Sequence, residues 1–133
     1  MINFNNFSFI PLICYEIIYS GYIHQNHKDF DFIINISEDG WFGDSIGPHQ
    51  HFSHSIFRSI EEGKNLLRSA NNGISAHIDA SGRVINKLKS TDKGFIQIRN
   101  ILKTKNTFIN SYGNQNIFYY LILYISMIFF VKT

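Results

Sequence analysis

The residues best suited to chemistry are Cys14, Tyr15 and Glu16, which follow an apolar run at residues 7–13. Cys14 is the only cysteine, so no intramolecular disulfide is open to it. A short strand that delivers a thiol and then turns can mount a nucleophile. The strand fixes the backbone, and the N–H groups that follow can face a developing oxyanion. The alternative is an inert core cysteine, because free Cys behaves as a small hydrophobe. These residues alone leave both readings open. Glu16 stands two residues beyond the thiol. A carboxylate beside a thiolate disfavours the charged sulfur, so Glu16 suits an anchor for loop amides or for a lysine better than a general base.

His49, His51 and His54 form a second cluster. On a helix His51 and His54 share a face, and His49 does not join them cleanly. No carboxylate or cysteine nearby completes a metal set, so the expectation is a solvated or capping cluster with no metal and no cofactor. A Cys-His dyad with Cys14 is open in principle, but no local cysteine-protease signature accompanies it. Trp41 and Phe42 lie in a Gly-rich loop, where adjacent aromatics either cover a site or plug the end of a core.

These residues need elements to place them. Residues 8–14 read as a buried strand, with Pro11 marking an edge, a bulge or the strand's start. Residues 15–27 suggest a helix, weakened by Gly21. Residues 31–36 are a second buried strand, ending in the turn Ser37-Glu38-Asp39-Gly40. Residues 49–62 predict a helix with Phe52, Ile56 and Ile60 on its apolar face, stopped at Gly63. Glu61 and Glu62 are badly placed for the helix dipole, which implies a partner elsewhere. Short strands at 65–69 and 74–79 flank Ala70-Asn71-Asn72-Gly73, where Asn-Gly supplies positive-φ turn residues. Further strands are expected at 84–88 and 93–98. The order points to an α/β sandwich.

Residues 101–116 read as a linker. Residues 117–131 carry no charge and are apolar all round. They predict a transmembrane helix over 117–132, with Tyr119 and Tyr120 at the interface. A count of Lys and Arg around it would place the globular part, residues 1–100, in the cytoplasm. At 133 residues with 44% hydrophobic and 17% charged, the chain can build one core and is not of disordered composition. A net charge of +2, with no basic cluster interleaved with aromatics, gives no nucleic-acid footprint. The N-terminus does not read as a signal peptide.

Four blocks carry a resemblance: Ile13-Cys14-Tyr15-Glu16, residues 35–43 (Asn-Ile-Ser-Glu-Asp-Gly-Trp-Phe-Gly), Gly47-Pro48-His49-Gln50-His51-Phe52, and residues 68–75 (Arg-Ser-Ala-Asn-Asn-Gly-Ile-Ser). In this order and spacing they resemble the C-terminal part of the apolipoprotein N-acyltransferase family, within the nitrilase (carbon–nitrogen hydrolase) superfamily. The resemblance implies part of a nitrilase-like α-β-β-α sandwich followed by a membrane helix. It implies that Cys14 takes a fatty acyl group from a phospholipid as a thioester. The α-amine of an apolipoprotein's diacylglyceryl-cysteine would then attack that thioester. Tyr15 would offer its backbone N–H to the oxyanion, Glu16 would support the site without touching substrate, and Trp41 and Phe42 would lie against substrate. The location implied is the bacterial inner membrane, with the catalytic domain facing the periplasm, against the charge count.

Two loop positions depart from the family pattern, at Ser37-Glu38-Asp39 and at Gly47-Pro48-His49. The superfamily's Glu-Lys-Cys triad also places its glutamate and lysine upstream. Thirteen residues precede Cys14, and none is Glu or Lys. The expectation is therefore a C-terminal fragment, inactive alone and completed by a separately encoded N-terminal half. The alternatives are a nitrilase-type amidase acting on small amides and an inactive membrane-anchored remnant.

Overall fold

The computed structural model describes residues 1–23, 29–99, 104–112 and 116–131. Its strands are β1 (Ile2–Phe4), β2 (Phe7–Ile13), β3 (Phe32–Glu38), β4 (Asn65–Asn71), β5 (Ser75–Ile78) and β6 (Val84–Leu88). Its helices are α1 (Gly47–Glu62), α2 (Phe108–Tyr112) and α3 (Asn116–Val131). Short 3₁₀ turns, Cys14–Ile18 and Gly40–Phe42, follow β2 and β3.

All six strands join one sheet, and their spatial order is their chain order. β2, β3 and β4 are parallel, and the outer pairings are antiparallel. Parallel neighbours need a crossover, and α1 supplies the one between β3 and β4. The register sets Ile10 opposite Ile33, Ile33 opposite Leu66 and Leu66 opposite Ile78. All four are buried on one face, with Leu12 and Ala76 beside them. Side chains alternate along a strand, so one row of β-branched and leucine residues makes the whole floor of the core. Phe52 and Ile56 of α1 pack on that floor. Ile60, the third member of the predicted apolar stripe, is 44% exposed. It lies instead over the β5–β6 turn, where a side chain at Gly82 would collide with it.

α1 carries Pro48 in its first turn, where a missing N–H costs nothing, and stops at Gly63, which is left-handed at φ 64°. The two acids near its end have the partner expected of at least one. Glu61 accepts hydrogen bonds from the Ser20 hydroxyl and the Gly21 N–H, and pairs with Arg58.

Three expectations need correction. The helix predicted over 15–27 is interrupted: Cys14–Ile18 is a 3₁₀ turn, the chain is extended at Tyr19, and Tyr22 and Ile23 are helical again; residues 24–28 lie outside the described residues. Residues 93–98 form no strand. Phe95, Ile96 and Ile98 instead line a cavity of about 320 Å³ with Ile34, Leu67 and Leu88, on the sheet face opposite α1. Ile96 and Ile98 are half-buried with Gln97 exposed between them, an alternation that reflects contact with the sheet face and not pairing at an edge, while Phe95 is largely exposed. The third concerns the membrane span. Its segment does form a helix, α3, and the side chains described along it are exposed. It has 16 residues, about 24 Å at 1.5 Å per residue, where a bilayer core needs about 30 Å. No helix among the described residues is long and apolar enough to cross a membrane.

The α/β class stands: one mixed sheet with a helical layer on one face. Among the described residues the second β layer of an α-β-β-α sandwich is not formed. Most of the linker expected at 101–116 falls outside the described residues.

Candidate active site

Cys14 and Asp39 each stand just past the carboxyl end of a strand, and those strands, β2 and β3, are adjacent and parallel. This is the edge of a parallel sheet where functional groups gather. Cys14 has φ +49°, a left-handed conformation that a non-glycine residue adopts at a cost. The strand therefore ends abruptly, and the 3₁₀ turn begins at the cysteine itself. Glu16 fixes the bend: its carboxylate accepts the Ile13 N–H at 2.7 Å. Because the chain turns, the side chains of Cys14 and Glu16 do not share a strand face. Tyr15 occupies the second position of the turn, where backbone N–H groups have no partner within the helix.

Beneath the cysteine lies a buried polar network. Arg68, on β4, gives one nitrogen to both oxygens of Asp39, at 3.0 and 2.8 Å. Its other terminal nitrogen donates to Asn35 Oδ1. The register makes this reach short, since Asn35 and Arg68 are direct partners across β3 and β4. The Asn35 amide donates to the Leu12 carbonyl at 3.0 Å and to the Cys14 carbonyl at 3.4 Å. His51 of α1 sets Nδ1 at 2.9 Å from Asp39 Oδ1 and Nε2 at 3.2 Å from the Cys14 carbonyl. The Ser37 hydroxyl donates to Asp39 at 2.7 Å and lies 3.8 Å from Cys14 Sγ. Asn35 and Asp39 are fully buried, and Arg68, His51 and Ser37 nearly so.

Burial opposes the charge on Asp39. The Ser37 hydroxyl, the Arg68 charge and the His51 hydrogen bond outweigh it and hold the carboxyl below its ordinary range. For Arg68 burial wins, and its pKa falls despite Asp39. The pair is thus a charge couple kept by its hydrogen bonds. Outside it, Glu38 accepts from Asn72, the Gly40 N–H and Asn71, which lowers its pKa and ties the Gly40–Phe42 turn to the β4–β5 turn.

The aromatics divide. Phe42 packs with the rings of Tyr15 and His51, at centroid distances of 6.3 and 5.6 Å. Trp41 is 87% exposed and joins neither. A polar cavity of about 450 Å³ beside this loop is lined by residues such as Gly43, Asp44 and Asn72, and Cys14 is not among them.

The histidine cluster is not a solvated set. His51 is 2% exposed and built into the network, whereas His49 is exposed and His54 half-buried. His51 meets the main chain of Cys14, not its sulfur. No group of three metal-ligating side chains occurs among the described residues. Sequence reasoning included Asn35, Asp39 and Arg68 in the matching blocks but gave none of them a role at the site. One signal was available: Asn35, Ser37 and Asp39 are polar at every second position, so they share one strand face.

A family model described as carbon-nitrogen hydrolase matches residues 8–102, a span that holds every member of the network. Among curated relatives, apolipoprotein N-acyltransferase of Wigglesworthia glossinidia brevipalpis is 41% identical over 129 residues, 96% of this chain and 26% of the relative. The protein of the same name from Rickettsia prowazekii is 47% identical over 87 residues, 65% of this chain and 18% of the relative. That of Haemophilus influenzae is 49% identical over 79 residues, 59% of this chain and 15% of the relative. The chain thus spans about a quarter or less of the length of these relatives. With its single cysteine at the end of a parallel strand inside the matched region, the chain belongs to the carbon–nitrogen hydrolase family.

Proposed function

We propose that the chain carries the nucleophile of an apolipoprotein N-acyltransferase, and that Cys14 is that nucleophile. The observation behind this reading is the strained presentation of the sole cysteine at the carboxyl end of β2. In the first half-reaction the thiolate attacks the ester carbonyl of a phospholipid acyl chain. The ester C–O bond breaks, a lysophospholipid alcohol leaves with a proton, and an acyl thioester remains on Cys14. In the second, the α-amine of a lipoprotein's diacylglyceryl-cysteine attacks the thioester. An amide forms, the C–S bond breaks, and the thiol is restored. The Tyr15 N–H stabilises the oxyanion in both steps. Glu16 holds the turn, and Phe42 and Trp41 meet the acyl chain.

Residues 1–100 form the catalytic part. The site works at the bacterial inner membrane, facing the periplasm. Among the described residues the hydrogen-bonding neighbour of the Cys14 sulfur is the Ser37 hydroxyl, which is no general base. A glutamate and a lysine from outside residues 1–133 complete the triad. The family description favours a second reading, in which water replaces the amine and the same acyl-enzyme is hydrolysed, as in an amidase.

The test is to co-express the chain with a polypeptide carrying the nitrilase glutamate and lysine. Purified membranes are then supplied with radiolabelled phospholipid and a diacylglyceryl-cysteine peptide. We expect label in the peptide amide, and none with Cys14→Ser. Release of free fatty acid with no peptide labelling would select hydrolysis. Transfer that survives Cys14→Ser would refute both.

A further inference from the structure

Cys14 presents its carbonyl oxygen to two side-chain donors, Asn35 Nδ2 and His51 Nε2. Both are oriented by the same buried pair. Arg68 holds the oxygen of the Asn35 amide, which leaves its nitrogen directed at the Leu12 and Cys14 carbonyls. Asp39, fixed by Arg68, lies against Nδ1 of His51 and so aims Nε2 at the same carbonyl. We propose that Arg68, Asp39, Asn35 and His51 form one positioning unit that clamps the main-chain carbonyl of Cys14 and holds the cysteine left-handed.

The geometry requires the hydrogen on Nε2. A carbonyl only accepts, so Nε2 must donate. The doubly protonated ring meets this with Nδ1 donating to Asp39. The neutral ring with its proton on Nε2 also meets it, with Nδ1 accepting from Arg68 at 3.2 Å. Only the tautomer protonated at Nδ1 alone leaves the carbonyl without this donor. The clamp matters because a non-glycine residue at φ +49° returns to ordinary backbone angles when nothing opposes it. Such a return would swing the thiol away from the position the turn gives it. The unit acts through the backbone of Cys14 and does not touch substrate. It stands whether the thioester goes to an amine, to water or to nothing.

Two substitutions separate the clamp from simple packing. In His51→Gln the amide nitrogen replaces Nε2 and keeps the donor to Cys14. In His51→Asn the amide reaches only the Nδ1 position, so Asp39 keeps its contact and Cys14 loses its own. Both remove the ring that packs on Tyr15 and Phe42, so that loss is shared. The readout is the rate of iodoacetamide alkylation of Cys14 in the whole chain, which has no competing thiol. We expect His51→Asn to react about tenfold more slowly, the factor that loss of one good hydrogen bond gives. His51→Gln should stay within about twofold of the parent. Equal rates for the two variants would overturn the proposal. If either variant fails to fold, nitrogen-15 spectra of the unaltered chain decide. A hydrogen on His51 Nε2 supports the clamp, and an unprotonated Nε2 overturns it.

Discussion

At the scale of single residues, Cys14 is held in a conformation that its side chain resists. The left-handed region costs an L-residue about 1–2 kcal/mol, and glycine avoids that cost. Cys14→Gly should therefore be more stable than Cys14→Ala by about 1 kcal/mol, read from urea midpoints at equal slope. The reverse order would mean that the turn relaxes when the thiol is removed. The cysteine itself was legible in the sequence, being unique and placed at the end of an apolar run. Its backbone angle was not, because φ +49° arises from a carbonyl caught between β3 and α1, residues 21 and 37 positions away. His51 was visible and misread for the same reason. A helical face showed which histidines neighbour each other but not which one turns inward.

At the scale of elements, the β4–β5 hairpin shows how a correct prediction can have an unexpected cause. Asn72-Gly73 marks the turn, yet the positive φ falls on Asn72, at 52°. Gly73 is needed for space, since a Cβ there would run into the Asp39 carboxylate. Gly73→Ala should cost about 3 kcal/mol, through overpacking and displacement of Asp39 from Arg68. A thermal melt checks this, and an unchanged melt would show that the hairpin yields instead. β2 to β6 were legible as short runs bounded by turn residues, whereas β1 was not expected and the alternation at 93–98 gave no strand. Asn35, Ser37 and Asp39 were absorbed into a strand end and a turn signal. Their partner Arg68 lies on another strand, and only the β3–β4 register brings it opposite Asn35. Local patterns carry no information about that pairing.

At the scale of the whole molecule, several groups titrate below their ordinary values and act in one direction. Burial lowers the pKa of His77 despite nearby Asp79, and burial, Arg58 and His51 lower that of His54. Asp39 is held down by its partners against burial, as is Asp79 by the Arg83 and Ser81 N–H groups and the Arg83 side chain. Each folded pKa lies below its unfolded value, so the unfolded chain binds more protons as pH falls. Stability should be full above about pH 6.5. It should decline first as the histidines of the unfolded chain charge, and again below about pH 3.9, as the aspartates of the unfolded chain protonate. Denaturation midpoints measured across this range check the sign. Higher stability in acid would contradict the buried, ionised Asp39.

The sheet adds one consequence for how the molecule is made. Its spatial order repeats its chain order, so every ladder joins neighbours in sequence and strands can be laid down as the ribosome releases them. The hairpin pairings are local and close quickly, whereas the parallel pairings of β2 with β3 and of β3 with β4 close longer loops and form more slowly. β2 and β3 emerge before β4, bringing Cys14 and an uncompensated Asp39. The counter-charge arrives only with Arg68 on β4. The turn at Cys14 is therefore set late, by a strand synthesised more than fifty residues after the cysteine, and a nascent chain stopped before β4 would carry the thiol without its shape.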